Sequence, residues 1–276
     1  VIAKDPALTT ALLRMANSAM FGLSCSVTSL ESAVRVVGMA HIRARALSIC
    51  IANAFVLPPT LNRLDFWRDC MVCAGYAKWL AGHAGLDEAQ AWLTGMMLRL
   101  GEVVIAQRSP QMLRIIEQLP RPAGERWVRE RDAIGFDEGQ ITAELARRWD
   151  FPVSMHHALA QCSQPLRAPV FTPLAGVLHL AALLSDQAAH GALALENLPT
   201  AVRTALHLNI GPLQQTMPPA EADRSPPGSM DCVKSPVLNP LIFPYGCVGL
   251  PPHVAGLLMS KFPMSIFPPV RGSPPP

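Results

Sequence analysis

The stretch Asp5–Gly22, DPALTTALLRMANSAMFG, decides how the chain is read. Leu8, Leu12, Leu13 and Ala16 recur at helical spacing. Asp5 stands where an N-cap is needed, Pro6 takes the first helical position, and Gly22 lies just past the end. Proline costs nothing at that position because its missing N–H would have no partner there, and glycine tolerates the backbone that ends a helix.

The same pattern continues outward. TSLESAVRVVG (28–38) opens with Thr28 and carries Glu31 three residues on, a capping-box spacing, and closes on Gly38. AHIRARALSICIANAF (40–55) follows and is broken by Pro58 and Pro59. LDFWRDCMVCAGYAKWLAGHAG (64–85) is amphipathic around Phe66, Cys70, Cys73, Ala77 and Leu80. LDEAQAWLTGMMLRLGEVVIAQ (86–107) reads as one helix, and PQMLRIIEQL (110–119) as another. FDEGQITAELARRWDFP (136–152) puts Ile141, Leu145 and Trp149 on one face and stops before Pro152. SMHHALAQC (154–162) and PLAGVLHLAALLSDQAAH (173–190) are two more helices. There is no alternating Val/Ile/Thr run of strand character and no internal repeat, so the fold class is all-α.

Near Gly211 the character changes. About a quarter of residues 211–276 are proline, a density that blocks helix interiors and sheet ladders. The division expected is a domain over residues 1–210 and a proline-rich, poorly ordered tail over 211–276 outside the fold. The tail is also apolar in places, so a sticky linker and a frame-disrupted C-terminus both remain open. The chain starts without Met inside a helical pattern, which suggests that N-terminal helices are missing.

Composition narrows the function classes. The 276 residues are 50% hydrophobic and 16% charged, with a mean hydropathy of +0.25. No uncharged apolar run of membrane-spanning length precedes the tail, and the start is not a signal peptide, so no membrane partner is expected. The net charge of +3 is spread thinly, Arg43 with Arg45 and Arg147 with Arg148 being small clusters, and no nucleic-acid partner is expected. Seven cysteines at irregular spacing make no disulfide framework, and reduced thiols fit a cytoplasmic location. Cys70 and Cys73 form a lone C-x-x-C in a helix, read as two semi-buried thiols rather than a redox or zinc site. His156 and His157 are helix neighbours about 100° apart and do not converge on one ion. His179, followed by LAALL, reads as a satisfied core histidine, and Met96 and Met97 as core.

The block Ile2–Leu47, IAKDPALTTALLRMANSAMFGLSCSVTSLESAVRVVGMAHIRARAL, resembles the opening helices of the HDOD family, bacterial signalling output modules related to the metal-dependent HD phosphohydrolases. The resemblance continues through FWRDC, AWLTGMMLRLGEVV, GFDEGQITAELARRWDFP and VLHLAALL, to about residue 208. It implies an orthogonal helical bundle of HD-like type.

Read position by position, the resemblance places the family's metal-site positions on Asp69, Leu98, Arg99, Glu138 and Ala182. The paired histidines of some members fall on Gln161 and Cys162. Leucine has no lone pair, and a guanidinium keeps its positive charge. The site is therefore degenerate, with no catalytic residue, no metal and no cofactor expected. Arg99 is expected in contact with Asp69 or Glu138, in the place of the metal. Asn17, Ser18 and Phe21 can cap and turn the chain, or form an interaction surface. The function the resemblance implies is a non-enzymatic signal-transduction module whose partners are other signalling proteins. The alternative is an HD-type phosphohydrolase with a non-standard site of Asp69, Glu138 and His179. Oligomeric state is not legible in the sequence.

Overall fold

The structure is a computed structural model that describes residues 13, 29–39, 42, 46, 57–120, 122–187 and 193–218. The candidate surface of Asn17, Ser18 and Phe21, the first helix, and residues 219–276 lie outside the described residues. Every regular element among the described residues is a helix.

The first, α1 (Leu30–Val37), shows how closely the start signals compete. Its N-cap is Ser29, whose hydroxyl accepts from Ser32 N at 3.1 Å. The expected Thr28–Glu31 box is thus displaced by one residue, because TS offers two equally good capping side chains in a row. The helix stops at Gly38, where φ is 88°, a backbone open to glycine without a Cβ clash.

Asn62 caps α2 (Arg63–His83) by accepting from the N–H groups of Leu64 and Asp65. The expected face of Phe66, Cys70, Cys73, Ala77 and Leu80 is buried, but so are Trp67, Met71, Val72, Ala74, Tyr76 and Ala81. This helix is the central post of the bundle rather than an amphipathic outer one. It packs against α3 (Glu88–Met97) and against α9 (Pro173–Asp186). Between these in sequence come α4 (Leu100–Arg108), α5 (Pro110–Ile116), α6 (Glu125–Ile134), α7 (Glu138–Arg148) and α8 (Val153–Gln161). The α4 helix lies on α7 and α5, and α8 covers both α7 and α9. Helix α6 was not foreseen. Its sequence, ERWVRERDAI, is so charged that no apolar stripe announces it.

Three short helices complete the described chain: α10 (Leu193–Glu196), α11 (Thr200–Ala205) and α12 (Ile210–Thr216). The last crosses the boundary expected at residue 210. Leu213 is buried, and Thr216 Oγ1 lies 2.8 Å from His83 Nε2 and 3.2 Å from Trp79 Nε1. Those contacts bind α12 to α2, so the helical unit extends to that point. Among the described residues no helix is long and apolar enough to cross a membrane.

Helices α4 and α7 approach to backbone contact. A Cβ on Gly101 would stand 2.3 Å from the Glu138 carbonyl oxygen and 2.7 Å from its Cα. Backbone cannot swing aside as a flexible side chain can. Gly101→Ala is expected to lower stability by about 3 kcal/mol. In urea unfolding the midpoint falls while the slope holds. Gly211→Ala, with open space around it, leaves the midpoint in place.

Candidate functional site

The 86–107 segment, which reads as one helix, is two. The chain breaks at Leu98 and Arg99, the pair at the centre of the degenerate site. Thr142 of α7 accounts for the break. Its hydroxyl donates to Leu98 O at 3.0 Å and accepts from Gly101 N at 2.8 Å. One buried side chain thereby satisfies two backbone groups that a continuous helix would have paired internally. The turn also re-aims Arg99 into the bundle, where it is 3% exposed.

Arg99 Nη2 donates to Asp186 Oδ1 at 2.7 Å, and Asp186 Oδ2 accepts from Gly124 N at 3.1 Å. The expected partners were Asp69 or Glu138. The ion pair Arg99 makes is instead with a residue one helical turn beyond Ala182, on the same face of α9. Asp69 lies exposed on α2, and Glu138 is bound by another arginine. Both still act on Arg99 through their charge: burial disfavours the guanidinium, and Asp186, Glu138, Asp69 and Glu102 outweigh it. Arg99 in turn holds the Asp186 carboxyl below its usual range against the effect of burial.

A second guanidinium, Arg126 of α6, gathers the remaining carboxyl groups. Its Nη1 lies 3.0 Å from Glu102, 3.5 Å from Glu138 and 3.8 Å from Glu130, and its Nη2 bonds Glu117. Glu130 Oε2 also accepts from Glu138 N at 2.7 Å, so it caps the start of α7. Asp137 caps the same helix in a reciprocal box with Gln140. Arg99 and Arg126 face Glu102, Glu130, Glu138 and Asp186, so full ionisation would leave this interior net negative. Burial pushes the Glu138 carboxyl up to about 7, although Arg126 and Arg99 pull it down. Burial and the neighbouring Glu138 likewise raise Glu130 well above the carboxylate range.

The donor set does not fit a divalent cation. Leu98 and Ala182 supply no ligand, Arg99 supplies a positive charge, and the nearby carboxylates are taken up by guanidiniums. Among the described residues no group of three His, Cys, Asp or Glu side chains is arranged to hold a metal. Cys70 and Cys73 are fully buried, and burial raises both thiols, Cys73 to about 12. They are packing groups. Cys162 is buried as well, and Gln161 Oε1 accepts from Thr172. The two histidines of α8 meet edge to face with ring centroids 5.0 Å apart. His179 stacks on Trp127 and places Nδ1 2.7 Å from Cys162 O. Arg147 and Arg148 both bond Glu144 on the surface of α7.

Sequence reading missed Asp186, Arg126, Glu102 and Glu130. A signal existed for Asp186, since HLAALLSD places an acid one turn after Ala182. Arg126 and Glu130 had none, because nothing in a charged helix says which of its charges point inward.

An all-helical bundle with a buried charged centre, its helix broken at that centre, is the class the coordinates define. The HDOD domain model matches residues 1–165, and the chain belongs to the HDOD family. An uncharacterised protein of Treponema pallidum (strain Nichols) is 29% identical over 186 residues, covering 62% of this chain and 35% of the relative. The chain thus spans about a third of the length of that curated relative. Among solved structures, a candidate phosphohydrolase from Shewanella amazonensis SB2B superposes with a TM-score of 0.63 at 22% identity, over 77% of this chain and 78% of that one. A candidate signal transduction protein from Marinobacter aquaeolei VT8 gives 0.60 at 21%, over 78% and 49%. An HDOD domain protein of unknown function from Geobacter sulfurreducens gives 0.58 at 20%, over 66% and 62%. These likenesses establish a shared fold.

Two outcomes test the charged centre. Arg99→Met leaves Asp186 buried without its cation and is expected to cost about 3–5 kcal/mol, while Arg99→Met with Asp186→Leu recovers much of that loss. Urea unfolding of both variants measures it. Glu138 sets a pH dependence. Its folded value, about 7, lies above the ordinary 4.5, so its contribution is complete below about pH 4.5 and is lost as pH rises through 7, by about 3 kcal/mol at most. Asp186 acts in the opposite sense and loses its contribution on acidification below its usual range. Glu138→Gln is expected to flatten the decline between pH 5 and pH 8 and to exceed the parent's stability at pH 8.

Proposed function

We propose that this chain is a non-catalytic regulatory module of bacterial signal transduction, working in the cytoplasm through contacts with other proteins. The observation that carries the reading is the pair Leu98 and Arg99, one aliphatic and one permanently cationic, buried where the HDOD resemblance places metal ligands. A divalent ion at that point would meet repulsion and lack its central ligands. A module that works by presenting a surface needs the bundle to be rigid and needs no reaction centre. The ion network of Arg99 and Arg126 supplies internal ties of that kind across α4, α6, α7 and α9. The candidate signal transduction protein among the structural neighbours is consistent with this use of the fold.

The competing reading is a phosphohydrolase using Asp69, Glu138 and His179, with the Shewanella neighbour as its support. Against it stand the exposure of Asp69 and the engagement of Glu138 by Arg126. The full chain, loaded with Mn2+, Fe2+ or Zn2+ and desalted, is expected to retain well under one equivalent. It is expected to hydrolyse bis(p-nitrophenyl) phosphate at the rate of buffer. Stoichiometric metal with turnover that disappears in Glu138→Gln would overturn the proposal. Reproducible co-purification of a signalling protein with the full chain would support it directly.

A further inference from the structure

A cleft of about 360 Å³ opens between the start of α6 and the C-terminal half of α9. None of Asp69, Leu98, Arg99, Glu138 and Ala182 lines it. Its volume lies at the lower end of the range for small-molecule sites. Trp127 and His179 form one wall, with ring centroids 5.3 Å apart and planes 24° from parallel. Leu183, Val128 and Pro199 add apolar surface.

The chemistry of the cleft is set by His179. Its Nδ1 stands 2.7 Å from Cys162 O, and a carbonyl oxygen can only accept. Nδ1 therefore carries the ring hydrogen, which leaves Nε2 with a lone pair. Burial disfavours the charged ring, against the opposing effect of the Cys162 carbonyl. Nε2 has no hydrogen-bond partner within the described protein. The stacked Trp127 and the Cys162 carbonyl fix the ring, so this acceptor is preorganised.

The charges around the cleft are already matched. Arg131 pairs with Asp137 at 3.1 Å, and Asp137 also accepts from Ser163 at 2.6 Å. Glu125 pairs with Arg129 at 3.5 Å. Asn197 and Gln187 at the rim are neutral and bond each other. Among the described residues lining the cleft, an entering ion would find no free counter-charge. A neutral, flat molecule with an N–H to give would find an unused acceptor and an aromatic and aliphatic wall.

We propose that this cleft is a binding site for a small uncharged nitrogen heterocycle, of nucleobase to nucleoside size, that donates an N–H hydrogen bond to His179 Nε2. The site is independent of the protein-contact reading above, and either can fail alone. It also adjoins the ion network. Gly124 lines the cleft and gives its N–H to Asp186, so the cleft wall includes a group that holds the Arg99 pair. Occupancy and the buried network share that backbone segment.

The test uses the full chain labelled with 15N-histidine. Adenine, cytosine and nicotinamide serve as neutral donor-bearing probes, caffeine as a purine without an N–H donor, and benzoate as a charged ring. At least one of the first three is expected to move the His179 Nε2 resonance saturably and to leave His156 and His157 in place. Caffeine and benzoate are expected to bind at least tenfold more weakly. His179→Phe keeps the stacked ring, removes the acceptor, and is expected to abolish the effect as read by ligand-observed spectra. Asn197→Trp, on an exposed rim position, blocks the mouth without touching the core and is expected to do the same. The proposal is overturned if none of the three donor probes shifts His179, if caffeine binds as well as they do, or if binding survives both substitutions.

Discussion

A guanidinium that cannot lose its proton sits buried inside the bundle, near enough to the Cys70 and Cys73 thiols to act on both, and the helices of this protein are arranged around its needs. Arg99 is carried into the interior by a break in the chain that Thr142 makes possible, since that hydroxyl serves both backbone groups the break exposes. Once inside, the charge demands carboxylate within a few ångströms, because an isolated charge in such surroundings is far too costly. Asp186 meets it directly. Gly124 then holds Asp186 in orientation, which ties the start of α6 to the end of α9.

The same logic produces the second half of the centre. Helix α6 is mostly charged; it docks by burying Trp127 and Ile134 in the core and by Arg126, which is surrounded by Glu102, Glu130, Glu138 and Glu117. Here the balance runs the other way: more acid is buried than two guanidiniums neutralise. The surplus is relieved by carboxyl groups that hold their protons toward neutral pH, Glu138 and Glu130. Such a network contributes little net stability over an apolar core of equal volume. What it fixes is the relative placement of four helices, since Arg126 of α6 reaches Glu102 of α4 and Glu138 of α7, and Arg99 at the start of α4 reaches Asp186 of α9.

This geometry gives physical content to family membership. The chain shares its architecture with HDOD and phosphohydrolase-like relatives, but fold does not carry function with it. At the place where the resemblance puts metal ligands, Leu98 is aliphatic and Arg99 is a buried cation paired with Asp186. The cleft beside it is of a different kind, with matched charges at its rim and a single unused imidazole nitrogen within.

The sequence by itself determined that the chain is helical, where most helices begin and end, and that the segment around Leu98 and Arg99 resembles a metal site without its ligands. The helices follow from local periodicity and capping residues, which act over a few residues, and the metal-site reading from the resemblance to the HDOD family. The sequence also marked Met96 and Met97 as core and Cys70 and Cys73 as half-buried, and in the structure all four are fully buried. Only the tertiary structure decided that the 86–107 segment is two helices, that Arg99 pairs with Asp186 rather than with Asp69 or Glu138, that charged α6 is inside the bundle's network, and that α12 belongs to the folded unit. In each case the deciding partner is remote in the chain: Thr142 for the break, Asp186 for Arg99, Glu102 and Glu138 for Arg126, His83 and Trp79 for Thr216. A side chain's charge is visible in one dimension, but the counter-charge that lets it be buried is chosen by the packing of helices in three.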